Sequence, residues 1–116
     1  MIGERAELTI RFYRSLGGNE PVREWLRAQG REIRNAIGKR IRAVQQHWPV
    51  GRPLVGSFGA GLFEVRVQFE GGAYRVMFVV LGEAEIVLLH IFQKKTRATP
   101  KGDLETARKR QKEVTS

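Results

Sequence analysis

The amino-acid sequence predicts an α+β domain. Its expected elements are an N-terminal strand, two helices, an antiparallel β-meander and a C-terminal helix, in a small single domain over residues 1–116. Three observations carry this. Residues 62–69 (LFEVRVQF) alternate strictly between apolar and polar, the period of a strand with one buried face. Ile33, Ile37, Ile41, Val44 and Trp48 fall at spacings of 4, 4, 3 and 4, the period of a helix with one apolar stripe. After Thr99-Pro100, a strongly basic segment keeps only a thin helical stripe of Leu104, Ala107, Gln111 and Val114.

In chain order, residues 6–14 (AELTIRFYR) alternate and are rich in β-branched and aromatic side chains, as a strand requires. Gly17-Gly18-Asn19 reads as a loop. Asn19 can cap a short helix that has Pro21 in its first turn and Gly30 at its end. Val22, Trp25 and Leu26 form its apolar face. In the next helix, over 31–48, Arg31, Arg34, Lys39, Arg40 and Arg42 lie off the apolar stripe, and Pro49 ends it. Residues 49–61 (PVGRPLVGSFGAG) read as a Gly/Pro-rich loop. Trp25 and Trp48 are expected in the core rather than as base-stacking groups.

Gly71-Gly72 is a two-residue hairpin signal between 62–69 and 74–81. A turn there opposes Phe69 to Tyr74, Val67 to Val76, Val65 to Phe78 and Phe63 to Val80, an apolar face that must meet the core. The other face opposes Gln68 to Arg75 and Arg66 to Met77. Arg66 and Arg75 are then diagonal neighbours on an open sheet face, roughly 7–8 Å apart. Without a buried carboxylate between them, such a pair attracts an anion. Residues 85–93 are apolar on both faces and fit a sheltered central strand. A two-residue turn at Gly82-Glu83 makes His90 face Arg75, whereas a three-residue loop turns it to the core side. Lys94 and Lys95 follow at the strand end. Thr99 is expected to cap the last helix, with Pro100 its first residue.

Composition bounds the function. The 116 residues carry 21 Lys+Arg against 12 Asp+Glu, a net charge of +9. There is no cysteine and there are two histidines, so no metal or other cofactor is expected. The longest apolar runs, 76–81 and 86–89, fall far short of a membrane span, and residues 1–15 carry charges where a secretory signal needs an apolar stretch. A cytoplasmic protein with an anionic partner and no membrane association is expected. The excess charge sits in two segments. Residues 22–48 hold seven basic and two acidic side chains, and 94–116 hold eight and three, while 1–21 are neutral and 49–93 are net −1.

The sequence LFEVR (62–66), then YRVMF (74–78), then VLLHIFQKKTRATP (87–100) with a basic helix after it, resembles the RelE/HigB type of bacterial toxin. It looks most like the phage-derived HigB-like branch of the RelE/ParE superfamily. The resemblance runs over nearly the whole chain and is strongest over 62–110. It implies a small RelE-like α+β fold and a toxin of a type II toxin–antitoxin pair. The implied activity is ribosome-dependent mRNA cleavage, with mRNA and the ribosome as partners. A separate antitoxin, expected to be of helix-turn-helix type, would cover the basic surface. By the resemblance, Arg75 matches the arginine that stabilises the phosphate, Arg66 the second basic position on the preceding strand, and Lys94 and Lys95 the basic pair closing the last strand. The chain departs from the better-studied relatives in two places. It has Glu64 where they have a basic residue, and nothing after Phe92 is aromatic where they carry a stacking tyrosine. ParE-like members that block DNA gyrase share this fold, and a non-catalytic nucleic-acid-binding accessory protein is the third reading.

Metal-independent RNA cleavage requires a proton acceptor for the 2′-hydroxyl, charge stabilisation on the phosphate and a proton donor for the leaving oxygen. Arginine suits the second role because it stays charged and grips phosphate with two N–H groups. Arg75 is the first candidate and Arg66 assists; the alternatives are surface pairs of Arg75 with Gln68 and of Arg66 with Glu64. The residues leave the base open. Glu64 lies two residues from Arg66 and can accept a proton. Lys94 or Lys95 serves only if neighbouring charges lower its pKa well below about 10.4. His90 titrates in a suitable range, but its apolar strand favours a satisfied core histidine. Lys39, Arg42, Arg97, Lys101, Arg108 and Arg110 are candidates for holding RNA phosphates without reading sequence.

Overall fold

A computed structural model describes residues 7–116. Residue 6, where the expected first strand begins, lies outside them. The described residues form an α+β domain of three helices and one five-stranded mixed sheet, in the order β1-β5-β4-β3-β2. β1 (Thr9–Phe12) runs parallel to β5 (Glu85–Lys94), which puts the apolar β5 between two strands, as its two-sided pattern requires. β2 (Val55–Gly59), β3 (Leu62–Phe69), β4 (Gly72–Leu81) and β5 form an antiparallel meander.

α1 (Pro21–Arg27) begins as expected on Pro21, but its N-cap is Glu20 rather than Asn19. Asn19 instead closes the preceding loop, its carbonyl accepting from the Ser15 backbone N–H. The Glu24 carboxylate reaches back to accept from the Glu20 backbone N–H at 3.0 Å, which satisfies a donor at the helix start. Gly30 does not end α1. It is the N-cap of α2 (Arg31–His47), whose stripe buries Ile37, Ile41 and Val44. α3 spans Lys101–Thr115, with Pro100 rather than Thr99 at its N-cap.

The span 49–61 is not only a loop, because it contains β2. Gly and Pro hid that strand, which pairs only with the first half of β3 and shifts register between Ser57 and Gly59. Ala60 and Gly61, both at positive φ, close the β2–β3 hairpin.

The β3–β4 register also differs from the expectation. Phe69 pairs with Gly72, so the two turn residues are Glu70 and Gly71, at φ 48° and 78°. The slip amounts to two residues in pairing and therefore keeps every side chain on its expected face. It moves Arg75 from opposite Gln68 to directly opposite Arg66. The β4–β5 loop has three residues, yet His90 does not turn to the α1/α2 core. Leu88 pairs with Phe78 and His90 with Met77, so Leu89 is an extra residue in a bulge that restores the face of His90.

Both sheet faces are buried. On the first, α1 and α2 cover Val65, Val67, Tyr74, Val76, Phe78, Ile86, Leu88 and Ile91. Trp48 packs edge-on against Phe63 and Phe78, and Trp25 against Tyr74, both in the core as expected. On the second, Leu62, Met77, Val79, Val87, Leu89 and Phe92 meet Ala107, with Leu104 and Val114 packed beside them. The second face is therefore not open, as hairpin patterning alone suggested: α3 docks on it through its thin stripe.

Candidate functional site

The second sheet face carries Glu64 and Arg66 of β3, Arg75 of β4 and His90 and Lys94 of β5, beside α3. Arg66 and Arg75 are Cα partners across the ladder rather than diagonal neighbours. Glu64 lies between their head groups. Its Oε2 accepts from Arg66 Nε at 3.1 Å, and its Oε1 stands 3.8 Å from Arg75 Nε. The expectation of two arginines without a buried carboxylate between them is thus corrected: alternation placed Glu64 on this face without showing that it is buried. Glu64 is 4% exposed and Arg75 9%, whereas the Arg66 side chain is 36% exposed.

The two guanidinia are held differently. Arg75 Nη1 donates to the Tyr74 carbonyl at 3.0 Å. Its Nε and the facing Glu64 Oε1 are buried and have no hydrogen-bond partner among the described residues, so this pair is electrostatic rather than bonded. Burial pushes the Arg75 guanidinium below its ordinary pKa; Glu64 opposes that shift and Arg66 adds to it. An arginine keeps its charge through such a shift. The cluster is thus two cations around one anion, with Arg66 its more accessible member.

Gly56 completes it. β2 pairs Gly56 with Glu64, and the Arg66 guanidinium lies across the glycine. A Cβ at position 56 would stand 2.6 Å from Arg66 Nη2. This residue carried no sequence signal, because it lies inside the strand that glycine and proline concealed.

The remaining candidates fall into three groups. Lys94 pairs with Ala73, two residues along β5 from Phe92, the Cα partner of Arg75. Lys94 is half-buried on the site face, and Lys95, Arg97 and Lys101 are exposed beyond it. Arg108 and Arg110 are bonded internally. Arg108 donates to the Phe58 carbonyl at 2.7 Å and the Gly59 carbonyl at 3.0 Å. Arg110 donates to the Leu89 carbonyl at 2.8 Å and lies over the Tyr13 ring. Lys39 and Arg42 project from α2, which covers the opposite sheet face. With Gln68 and Glu70 they line a groove of about 1080 Å³ at the outer end of β3.

His90 is a tied histidine. Its Nε2 lies 2.6 Å from Asp103 Oδ1, and Arg110 Nη1 approaches its Nδ1 at 3.4 Å, an arrangement that suits a proton on Nε2. Its ring stacks on Phe92. Asp103 was not singled out by the sequence; it lies in the first turn of α3, where a carboxylate is common.

Among the described residues, no three His, Asp or Glu side chains converge as a metal site, and no helix is long and apolar enough to cross a membrane. What the cluster can do is grip a phosphate: the guanidinia present fixed N–H donors and carry a net positive charge at the edge of a dry sheet face. Residues 24–112 match the model of a family described as phage derived protein Gp49-like (DUF891). That family is associated with the toxins of toxin–antitoxin systems. No individual curated protein matches the chain.

Proposed function

Because the chain belongs to the Gp49-like family of phage-derived proteins, we propose that it is the toxin of a type II toxin–antitoxin pair and cleaves mRNA on the ribosome, in the manner of HigB-like members. The observation that carries this reading is the opposed Arg66–Arg75 pair around a single carboxylate. A gyrase-blocking protein has no chemical need for two guanidinia fixed side by side. A phosphoryl-transfer site does, because charge develops on the phosphate oxygens in the transition state.

In this reading Arg75 and Arg66 clamp the scissile phosphate. The 2′-oxygen attacks phosphorus, the bond to the 5′-oxygen breaks, and a 2′,3′-cyclic phosphate and a 5′-hydroxyl result. The Lys94 ammonium gives a proton to the departing 5′-oxygen, and Lys95 holds a flanking phosphate. Glu64 orients the guanidinia and is not the base, since both its oxygens already face arginines. The 2′-hydroxyl proton passes to water or to a group supplied by the ribosome. Lys39, Arg42, Arg97 and Lys101 attract the RNA backbone from a distance. The antitoxin is an acidic-surfaced partner, expected to carry a helix-turn-helix, and the complex acts in the cytoplasm.

Controlled expression followed by primer-extension mapping of mRNA ends tests this. Codon-phased cuts that vanish in Arg75→Ala support it. Intact mRNA with accumulating DNA breaks overturns it in favour of gyrase inhibition, and an absence of both effects leaves a nucleic-acid-binding accessory role.

A further inference from the structure

We propose that Gly56 is a positioning residue of the phosphate clamp: its missing side chain is the seat that fixes the Arg66 guanidinium against Glu64. The inference rests on the cleavage reading above for its kinetic consequence, but its structural part stands alone.

Gly56 is buried in β2 and is the Cα partner of Glu64. A side chain there would share the sheet face with Glu64 and lie diagonal to Arg66. Arg66 uses that space. Three of its atoms would fall inside normal contact with a Cβ at position 56: Nη2 at 2.6 Å, Cζ at 3.1 Å and Nε at 3.2 Å. The last of these is the atom that donates to Glu64. The glycine does not have a positive φ, so turn geometry does not explain it, and an alanine fits the backbone without strain. The three atoms nearest to that space all belong to the Arg66 guanidinium.

The consequence is selective. The obstructing atoms belong to the far end of a flexible side chain, so alanine at position 56 makes Arg66 move while the strand stays in place. To reach an ordinary 3.4 Å contact, Nη2 must retreat by about 0.8 Å, and because Nε lies in the same rigid plane its 3.1 Å hydrogen bond to Glu64 is disturbed with it. The positive charge remains, so attraction for RNA persists. The orientation of the clamp does not. A shift of about 1 Å in a group that contacts the reacting atoms can cost on the order of a hundredfold in rate. Arg66 assists Arg75 rather than replacing it, so a loss of about tenfold in kcat is expected, with KM changed less than about twofold.

The test compares Gly56→Ala with Gly51→Ala, where an added Cβ meets nothing within 4 Å. One measurement needs no activity: the Arg66 Nε–H resonance in ¹⁵N NMR, and its exchange with solvent, report the bond to Glu64. The second is mRNA cleavage on translating ribosomes, made also in an Arg66→Ala background. The expected result is a fast-exchanging Arg66 Nε–H and a roughly tenfold lower kcat in Gly56→Ala, and no further loss when Arg66 is already alanine. An unchanged Arg66 Nε–H in Gly56→Ala overturns the inference, as does an equal kinetic loss in the Arg66→Ala background. Wild-type cleavage by both Arg66→Ala and Arg75→Ala overturns the arginine clamp, an absence of cleavage by the unaltered protein overturns the cleavage reading, and in either case the resonance still decides the seat.

Discussion

Arg66 and Arg75 stand directly opposite each other on adjacent strands, and the buried carboxylate of Glu64 faces both guanidinia. Two like charges at that separation repel, and the carboxylate offsets the repulsion without neutralising the pair. Arg75 is the buried member and has one fixed hydrogen bond, to the Tyr74 carbonyl. Its Nε has none among the described residues. Arg75→Ala is expected to lower cleavage by about a hundredfold or more, and Arg75→Lys to recover little of it, because an ammonium lacks the planar fork. Single-turnover cleavage of ribosome-bound mRNA measures this. Recovery by lysine to within a few-fold of the wild type would show that charge alone suffices.

Glu64 gives the second prediction. Glu64→Gln keeps the shape and removes the internal anion. Inorganic phosphate should then bind the arginine pair more tightly, as an NMR titration at the arginine Nε–H groups can show. Thermal stability should fall by about 1–2 kcal/mol, because a group only 5% exposed loses part of its ion pairing. Cleavage should drop less than in Arg75→Ala. A loss as deep as that of Arg75→Ala would make Glu64 the general base.

Alternation in 62–69 and 74–81 placed Arg66, Arg75 and Glu64 on one face correctly, because face parity survives a two-residue slip in register. The turn residues were not legible. Gly71-Gly72 looks like the stronger pair, but Glu70 takes the first left-handed position, a conformation a glutamate rarely signals. The burial of Glu64 was not legible either. It depends on tertiary packing that strand alternation does not report, just as the stripe of Leu104, Ala107, Gln111 and Val114 says that α3 docks without saying where. Gly56 and Asp103 escaped for the same reason: each matters only through a partner brought near by tertiary packing.

The basic residues divide by what already holds them. Arg108→Ala removes donors from the Phe58 and Gly59 carbonyls and frees the β2–β3 corner. It should cost about 1–3 kcal/mol in denaturant unfolding. Lys109→Ala, at an exposed position next to it, should stay within about 0.5 kcal/mol. Equal losses would show that α3 is not anchored through Arg108.

Lys39, Arg97 and Lys101 are exposed, and in the proposed reading they attract RNA. Replacing any one with alanine should weaken binding of single-stranded RNA to a similar degree for every sequence. The slope of log K against log salt should become shallower by about 0.7 for each phosphate that the protein no longer neutralises. A change in cleavage-site preference with no change in slope would assign the residue to base reading instead.

Tyr13 gives a pH dependence with a definite sign. Its hydroxyl donates to Glu113 Oε1 at 2.7 Å, and the ring is 5% exposed beneath Arg110. Burial raises its pKa above the ordinary 10.0; the hydrogen bond to Glu113 and the charge of that carboxylate add to the rise, and Arg110 opposes it. The folded state therefore holds the phenol proton more tightly than the unfolded chain. The resulting stabilisation is fully present below about pH 10 and is lost as pH climbs through the raised folded value. Tyr13→Phe keeps the ring and removes the titration. Its stability at neutral pH should be lower by about 0.5–1.5 kcal/mol, the net worth of the hydrogen bond. Above about pH 10 the difference should shrink, because the wild type loses stability there that the phenylalanine variant has no phenol to lose. Urea unfolding of both proteins across that range, with tyrosinate absorbance followed in parallel, measures the gap. A gap that stays constant or widens at high pH would mean that the phenol at position 13 does not hold its proton through the bond to Glu113.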